Sequence, residues 1–307
     1  MAAPFTPATS TLLLDKRALT KSMADGGALC RSETQYGQAG QRLALAGGDT
    51  VWVALQGAHV VSWHAAGRER LYLSPQNAWD GRSAIRGGVP VCFPQFNQRG
   101  TLPKHGFARN SVWTAGRPVV QDDGVQQDFS LSWSAQTLAL WQSRFEARLR
   151  VALAPGELTL TLTVHNLDSR PLEFSGALHS YLAVDDIAQA RLRGLQGQPE
   201  WNALTDHHAR AAADLQFEGE FDRVYDAAPG ALCLRDGAHR LEISQSAGWA
   251  NSVVWNPGRD KCAAMADLPA DGFSHFVCVE AAQVMSPIHV DAATHWQGWQ
   301  RFRVLKD

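Results

Sequence analysis

Apolar and polar residues alternate at every second position in many short segments of this chain. The clearest is LTLTLTVHN at Leu158–Asn166, where leucine and threonine alternate and create one apolar and one polar face. It follows Arg144–Leu153 across the tetrapeptide APGE, in which Pro155 and Gly156 favour a turn. The pattern therefore predicts an antiparallel β-hairpin over these two segments.

Further alternating segments predict more strands. Thr50–Gly67 predicts two short strands with a break near Gly57, and His239–Ser246 and Gly298–Asp307 predict one strand each. Helix candidates are short, such as the alanine-rich stretch Ala209–Asp214. Many short strands separated by glycine, proline, asparagine and aspartate predict an all-β fold of the β-sandwich type, with few short helices.

The chain has 307 residues, which suits one large all-β domain. Since no Ser/Gly linker divides it, we predict an N-terminal arm over residues 1–35 and a single domain over residues 36–307. The start of the chain is a poor secretory signal, because its apolar run is short and no charged segment precedes it. It is rich in serine and threonine and poor in acids, so a transit peptide is the alternative to an arm.

Composition limits the partners. A formal net charge of −2 argues against nucleic acid or an anionic membrane as the main partner, and no run approaches the roughly 18 apolar residues that span a bilayer. Five widely spaced cysteines without a C-x-x-C motif predict reduced thiols and a cytoplasmic location. No zinc-binding motif occurs, so no metal is predicted. No coiled-coil seam occurs, so a monomer is expected.

Two neighbouring segments carry candidate binding residues. In AIRGGVPVCFPQFNQRG, Arg86 precedes a Gly-Gly pair that lets a ligand approach the backbone, and its guanidinium suits hydroxyls, carboxylates or phosphates. In LPKHGFARNSVW, Lys104, His105 and Arg109 place three possible cations in one loop. Because the net charge is negative, such a local cluster is where an anion would bind; a solvated surface turn is the alternative.

Three further positions suggest chemistry. His179, in FSGALHSYLAVDDI, has aromatic neighbours and titrates near neutrality, so it can exchange a proton with a bound ring; a structural histidine is the alternative. Glu280 ends the strand FVCVE, whose faces are otherwise apolar, and burial there would raise its pKa and make it a general base. A solvent-exposed strand end is the alternative. Asp222, in FDRVY, could face a ligand or pair with Arg223, and Asp185 and Asp186 are weaker candidates.

Taken together, six segments resemble the aldose 1-epimerase (galactose mutarotase-like) superfamily, and most closely its D-hexose-6-phosphate mutarotase branch, the glucose-6-phosphate 1-epimerases. They occur in the family's order and span most of the chain: IRGGVPVCFPQF, LPKHGFARNSVW, ALHSYLAVDDI, FDRVY, VVWNPG and FVCVEAA. The resemblance implies a large antiparallel β-sandwich, the galactose mutarotase-like supersandwich, with an open sugar-binding cleft and no cofactor.

The resemblance also implies roles for individual residues. Glu280 would be the general base and His179 the general acid, with His105 near the ring oxygen of the sugar. The remaining implied contacts are to hydroxyls or to the phosphate, from Arg86, Arg109 and Asp222. Lys104 stands where glutamine is frequent in this branch and adds a positive charge that suits a phosphate.

The expected function is that of an isomerase, which interconverts the α and β anomers of a hexose 6-phosphate, most simply glucose 6-phosphate, by acid/base-catalysed ring opening and closure. Two other functions stay open. One is the same chemistry on an unphosphorylated aldose, and the other is carbohydrate binding without catalysis. A glycosidase would need two carboxylates across the scissile bond, and pairing Asp222 with Glu280 would leave the histidines without a role.

Overall fold

The structure, a computed structural model, describes residues 28–306. In this part of the chain β-strands predominate, and they are joined by two α-helices of six residues each and two 3₁₀ turns. The helices are α1 (Ala135–Leu140) and α2 (Gly258–Ala263), and the 3₁₀ turns are Ala108–Asn110 and Gly272–His275. The strands are, in chain order, β1 (Leu29–Gln35), β2 (Gln38–Ala44), β3 (Thr50–Ala54), β4 (His59–Ala65), β5 (Arg68–Glu69), β6 (Val91–Cys92), β7 (Thr114–Ala115), β8 (Val119–Val120), β9 (Val125–Ser132), β10 (Phe145–Ala154), β11 (Glu157–Asn166), β12 (Leu172–Leu178), β13 (Tyr181–Ala183), β14 (Arg191–Arg193), β15 (Pro199–Asn202), β16 (His207–Arg210), β17 (Phe221–Asp226), β18 (Leu232–Asp236), β19 (His239–Gln245), β20 (Asn251–Asn256), β21 (Phe276–Val290) and β22 (His295–Leu305).

These strands form three antiparallel sheets. A five-stranded sheet has the order β1-β2-β3-β4-β5. A nine-stranded sheet runs β14-β18-β19-β22-β11-β10-β9-β7, with β8 also paired to β9, and an eight-stranded sheet runs β16-β15-β17-β20-β21-β12-β6, with β13 paired to β21. Apolar side chains from all three sheets form one continuous core. The predicted β-sandwich with few short helices is therefore confirmed.

The predicted hairpin is confirmed as β10 and β11, which pair from Phe145 opposite Asn166 to Ala154 opposite Glu157. Leucines of β11 are buried and its threonines are partly exposed, as the alternation requires. The two strands predicted around Gly57 are β3 and β4. The strands predicted near the C-terminus are β19 and the end of β22.

Strand β21 has two buried faces, and they serve different purposes. Val277, Val279 and Ala281 point into the continuous core between the sheets. Cys278 and Glu280 point to the opposite face of the eight-stranded sheet, together with residues of the neighbouring strands. The prediction of a strand buried on both sides is thus confirmed, and the second face carries the candidate site. The prediction that this strand ends at Glu280 is wrong, because β21 continues to Val290 by pairing with β12.

Two of the sequence predictions need correction or restriction. The helix expected at Ala209–Asp214 is wrong: His207–Arg210 form the edge strand β16, which pairs with β15. A short alanine-rich stretch is marginal as an isolated helix, so pairing with a neighbouring strand decides its structure. Residues 29–35, which we assigned to the N-terminal arm, form β1 and pair along their whole length with β2; the rest of the predicted arm, residues 1–27, lies outside the described residues.

No helix within residues 28–306 combines the length and the hydropathy that a membrane span requires. All five cysteines lie in this range, and none of them forms a disulfide. The cytoplasmic location stays a prediction.

Candidate active site

The strand register places the candidate residues on one face of the eight-stranded sheet. Asp222 lies opposite Trp255, and Trp255 lies opposite Cys278, so these three side chains share a row. Val253 lies opposite Glu280 in the next row on the same face. Because directly opposed residues of paired strands project to the same side, three strands far apart in sequence present their side chains to one cavity.

His179 occupies the break between β12 and β13. Leu178 pairs with Ala281 and Tyr181 pairs with Cys278, so His179 lies beside Glu280. The backbone N–H of His179 donates to the carbonyl of Pro90 at 3.1 Å. The next residue, Ser180, donates its hydroxyl to the Gln300 side chain at 2.7 Å, and Gln300 donates to the carbonyl of Val279. These buried hydrogen bonds fix the break and therefore the position of the imidazole.

The side chains of His179 and Glu280 are both buried and lie in contact. Nδ1 of His179 is 3.2 Å from Oε1 of Glu280, an ion-pair distance without the alignment of a hydrogen bond. Oε2 of Glu280 also has no hydrogen-bond partner among the described residues. Two buried polar atoms without partners are costly, so the pair is arranged for a ligand that supplies those bonds.

Burial moves the pKa values of the pair in opposite directions. It raises the pKa of Glu280 well above its usual value, and the nearby charge of Asp222 adds to the increase. It lowers the pKa of His179 well below its usual value, with further contributions from His105, Arg86 and Arg109. Burial therefore favours the neutral form of each group, so that the proton of the pair lies on Glu280 in the free site, from which His179 can take it across their contact.

His105 lines the same cavity and is a neighbour of His179, with their ring centroids 5.5 Å apart. Its backbone has a φ of +66°, and its N–H donates to the carbonyl of Asn97 at 2.9 Å. Nδ1 of His105 accepts from the N–H of Asn97 at 3.3 Å, which leaves Nε2 as the protonated nitrogen. Burial, then the charges of Arg109 and Lys104, lower the pKa of His105 to about 3. This histidine is therefore a neutral hydrogen-bond donor.

Three of the predicted cations line the same cavity. Arg86 donates to the Asp267 carboxylate from Nε at 3.0 Å and to the hydroxyl of Tyr181 at 2.8 Å, so its guanidinium is held rigidly. Arg109 donates to the carbonyl of Lys104 at 3.0 Å. The Lys104 side chain forms no hydrogen bond or ion pair among the described residues, and burial, followed by repulsion from neighbouring cations, lowers its pKa.

Asp222 also faces the cavity. Its predicted alternative, an ion pair with Arg223, does not form, because Arg223 pairs with Glu200 at 2.6 Å. Burial raises the pKa of Asp222, while the charges of Lys261 and Lys104 act against that shift. All seven predicted site residues thus meet in one place: Arg86, Lys104, His105, Arg109, His179, Asp222 and Glu280. The weaker candidates Asp185 and Asp186 lie elsewhere, with Asp185 paired to Arg68.

The structure adds residues that the sequence did not single out. Lys261 on α2 lines the cavity, and Trp255, Met265 and Phe96 form its apolar walls. The segment around Lys261 drew notice only for Trp255 and for its Asn-Pro turn. Nothing in its local pattern shows that α2 folds back to the cavity, because this depends on contacts with a distant segment.

The cavity measures about 180 Å³ and is open to solvent. Drug-sized ligands occupy pockets of roughly 300–1,000 Å³, so this one suits a single small ring. Three other surface cavities are larger, at about 210, 410 and 750 Å³. In the largest, the one carboxylate deep in the wall, Glu69, already accepts from Ser62 and from three backbone N–H groups. The smaller cavity differs in holding a buried titratable pair, in which Nδ1 of His179 and Oε2 of Glu280 have no hydrogen-bond partner among the described residues.

A metal ion is one conceivable ligand of this site. His179, Cys278 and Glu280 each offer a ligand atom within 4.8 Å of the other two, and zinc accepts all three ligand types. However, four cationic side chains line the cavity, and burial holds the pKa of the Cys278 thiol well above its usual value. Because a metal needs a deprotonated thiolate and is repelled by positive charge, the arrangement suits proton transfer better than metal binding.

Comparison with known proteins agrees with this geometry. Residues 42–303 match a family model described as aldose 1-epimerase. A protein of Cenchrus ciliaris named "Putative glucose-6-phosphate 1-epimerase" is 35% identical over 258 residues, which cover 80% of this chain and 78% of that protein. A protein of the same name from Escherichia coli strain K12 is 37% identical over 236 residues, covering 75% of this chain and 78% of that protein. The crystal structure of a "putative mutarotase (YeaD)" from Salmonella typhimurium superposes with a TM-score of 0.81 at 27% identity, covering 94% of this chain and 100% of that one.

Proposed function

This chain belongs to the aldose 1-epimerase family, and from that premise we propose that it interconverts the α and β anomers of a hexose 6-phosphate, with glucose 6-phosphate as the expected substrate. The enzyme is thus an isomerase. The observation that carries the proposal is the buried His179–Glu280 contact, which opens on a cavity lined by cationic side chains. A proton donor and a proton acceptor are what anomer exchange needs, and the cations suit a phosphate.

In the proposed mechanism, Glu280 removes the proton of the anomeric hydroxyl while His179 protonates the ring oxygen. The bond between the anomeric carbon and the ring oxygen breaks, and the anomeric carbon becomes an aldehyde. Rotation about the neighbouring carbon–carbon bond presents the other face of the aldehyde. Ring closure then returns one proton to His179 and one from Glu280 to the new anomeric hydroxyl, so both side chains end as they began.

The single proton of the pair fits this cycle. Catalysis requires a protonated His179 and an ionised Glu280, and this form differs from the neutral pair only by proton transfer across a 3.2 Å contact. Sugar hydroxyls that donate to the Glu280 carboxylate would favour the charged form. His105, a neutral donor at Nε2, supplies a hydrogen bond at the ring oxygen, and Arg86 and Asp222 bind hydroxyls.

The direct test is an exchange measurement on α- and β-glucose 6-phosphate by NMR, with and without the protein. We expect exchange to be accelerated, and to be faster at equal concentration for glucose 6-phosphate than for glucose. Faster exchange of glucose would instead identify an enzyme for unphosphorylated aldoses. Binding of sugar without any acceleration would identify a carbohydrate-binding protein and refute catalysis.

Gly106→Ala tests the position of the His105 loop. Gly106 has a φ of +71°, and a Cβ at this residue would lie 2.1 Å from the carbonyl oxygen of Phe93. The loop must therefore move, and a displacement of about 1 Å near the reacting atoms can cost about 10²-fold in rate. We expect kcat/KM for anomer exchange to fall on that order, together with a lower unfolding midpoint in urea.

Gly37→Ala is the matched control. Gly37 has almost the same φ, +72°, but nothing lies within 4 Å of the added Cβ. This variant carries the cost of a left-handed backbone, about 1 kcal/mol, without displacing a loop. We expect its anomer exchange to equal that of the wild type. Equal activity in the Gly106→Ala variant would show that the loop does not position a group that matters for the reaction.

A further inference from the structure

Lys261 is a cavity-lining cation that belongs to a different segment of the chain from the loop of Lys104. It lies on α2 and lines the cavity beside Asp222 and Glu280. Its Nζ forms an ion pair with the carboxylate of Glu220, and both side chains are partly exposed. The charge of Lys261 also influences Asp222 and Lys104. The lysine is therefore a partly exposed group of the cavity and lies within electrostatic reach of Lys104 and Asp222.

The backbone around Lys261 is firmly fixed. Gly258, the first residue of α2, has a φ of +64°, and a Cβ there would lie 2.5 Å from the backbone of Gly219 and Glu220. The N–H of Gly258 donates to Asn256 at 2.8 Å, and the Asn256 amide donates to two carbonyl groups. This close packing holds the short helix against the segment that carries Glu220, so the ion pair is built into the fold.

The two lysines differ in their counterions. Glu220 partners Lys261, whereas the side chain of Lys104 has no ion pair among the described residues. The two ammonium groups repel each other, and this repulsion contributes to the lowered pKa of Lys104. Like charges held close together are stabilised by an anion that binds between them. Arg86 is less available for this task, because Asp267 and Tyr181 already occupy its guanidinium.

We propose that Lys261 is a specificity-determining residue which, together with Lys104, binds the phosphate group of the substrate, and that it exchanges its ion pair with Glu220 for one with the phosphate. This inference rests on the proposed function, because it concerns the phosphate end of the same substrate. It assigns Glu220 a definite role as the counterion that the phosphate must displace. In this arrangement Lys261 acts on the phosphate end of the substrate and takes no part in the proton transfer.

Opposite effects of two substitutions test the inference. Lys261→Met removes a charge-assisted bond to phosphate, so we expect KM for glucose 6-phosphate to rise by about tenfold to hundredfold with little change in kcat. Glu220→Gln frees Lys261, so we expect the same KM to fall by about twofold to fivefold, the range that an exposed ion pair is worth. Inorganic phosphate, used as a competitive inhibitor, should bind more weakly to the first variant and more tightly to the second.

Arg259→Met is the control, because it removes a positive charge from the same helix; Arg259 stacks on Phe273 and does not line the cavity. We expect its KM to equal that of the wild type. If the ion pair were purely structural, Lys261→Met and Glu220→Gln would shift KM for glucose 6-phosphate in the same direction. That result would overturn the inference. Unchanged KM values in both variants would also overturn it, even if wild-type exchange of glucose 6-phosphate stands. Absence of wild-type exchange would refute the proposed function itself.

Discussion

Glu280→Gln is expected to lower kcat for anomer exchange by about 10² to 10⁴, the usual contribution of a positioned general base. Glutamine keeps the shape of the side chain but cannot accept the proton of the anomeric hydroxyl. Since the side chain only has to be planar and polar to bind the sugar, KM should change much less than kcat. NMR exchange on glucose 6-phosphate measures both constants.

The same substitution should stabilise the fold at neutral pH. The pKa of Glu280 in the folded protein lies well above its usual value of 4.5, with burial as the main cause. Between pH 4.5 and that raised pKa, the folded state therefore binds more protons than the unfolded state. Its stability then falls as pH rises, by about 1.4 kcal/mol for each pH unit. Glutamine does not ionise and escapes this loss.

Urea unfolding of both proteins at pH 4 and at pH 7 measures the stability effect. We expect similar free energies of unfolding at pH 4 and a more stable variant at pH 7. Glu173→Gln is the control, because it makes the same change at an exposed residue of β12. It should alter neither the activity nor the pH dependence of the activity. Wild-type kcat in the Glu280→Gln variant would exclude Glu280 as the base. A loss of stability at pH 7 would contradict the burial of an uncompensated carboxyl group.

Local sequence patterns predicted several strands, among them β10, β11 and β19, because strand alternation is a local consequence of one buried face. They failed at His207–Arg210, where pairing with β15 outweighs the composition of the segment. They also failed at β1, since its pairing with β2 is visible only when the partner strand is known. Both errors concern edge strands, whose structure depends on contacts more than on their own sequence.

The site divides in a similar way. The apolar residues around Glu280 in β21 are a local signal for burial, but they left a solvent-exposed strand end open, and the structure shows the buried alternative. The contact of Glu280 with His179 came from the family resemblance and not from any pattern, because it depends on the break between β12 and β13. That break is fixed by Pro90 and by Gln300, residues distant in sequence. Lys261 was missed for the same reason, since α2 reaches the cavity by packing on the segment of Glu220.

His179→Asn is expected to lower kcat by a similar factor of about 10² to 10⁴, because asparagine can donate a hydrogen bond to the ring oxygen but cannot protonate it. The loss should persist at every pH, and NMR exchange across the pH range measures it. His239→Asn, at the exposed start of β19, is the matched control and should keep wild-type kcat. Activity of the His179→Asn variant close to that of the wild type would assign the acid to another group.

The pH dependence of the wild-type enzyme tests the one-proton pair. A second proton on the pair leaves Glu280 without its base form, so activity is lost at low pH. Because burial and neighbouring cations hold the pKa of His179 well below 6.5, kcat/KM should stay constant as pH falls through 6.5 and decline only in more acidic solution. Loss of the shared proton ends activity at high pH. Because the pKa of Glu280 is raised, we expect this loss at a pH above the range in which carboxyl groups usually titrate. A decline to half activity at pH 6.5 would mean that His179 titrates as an ordinary solvated histidine. That result would contradict its burial against Glu280.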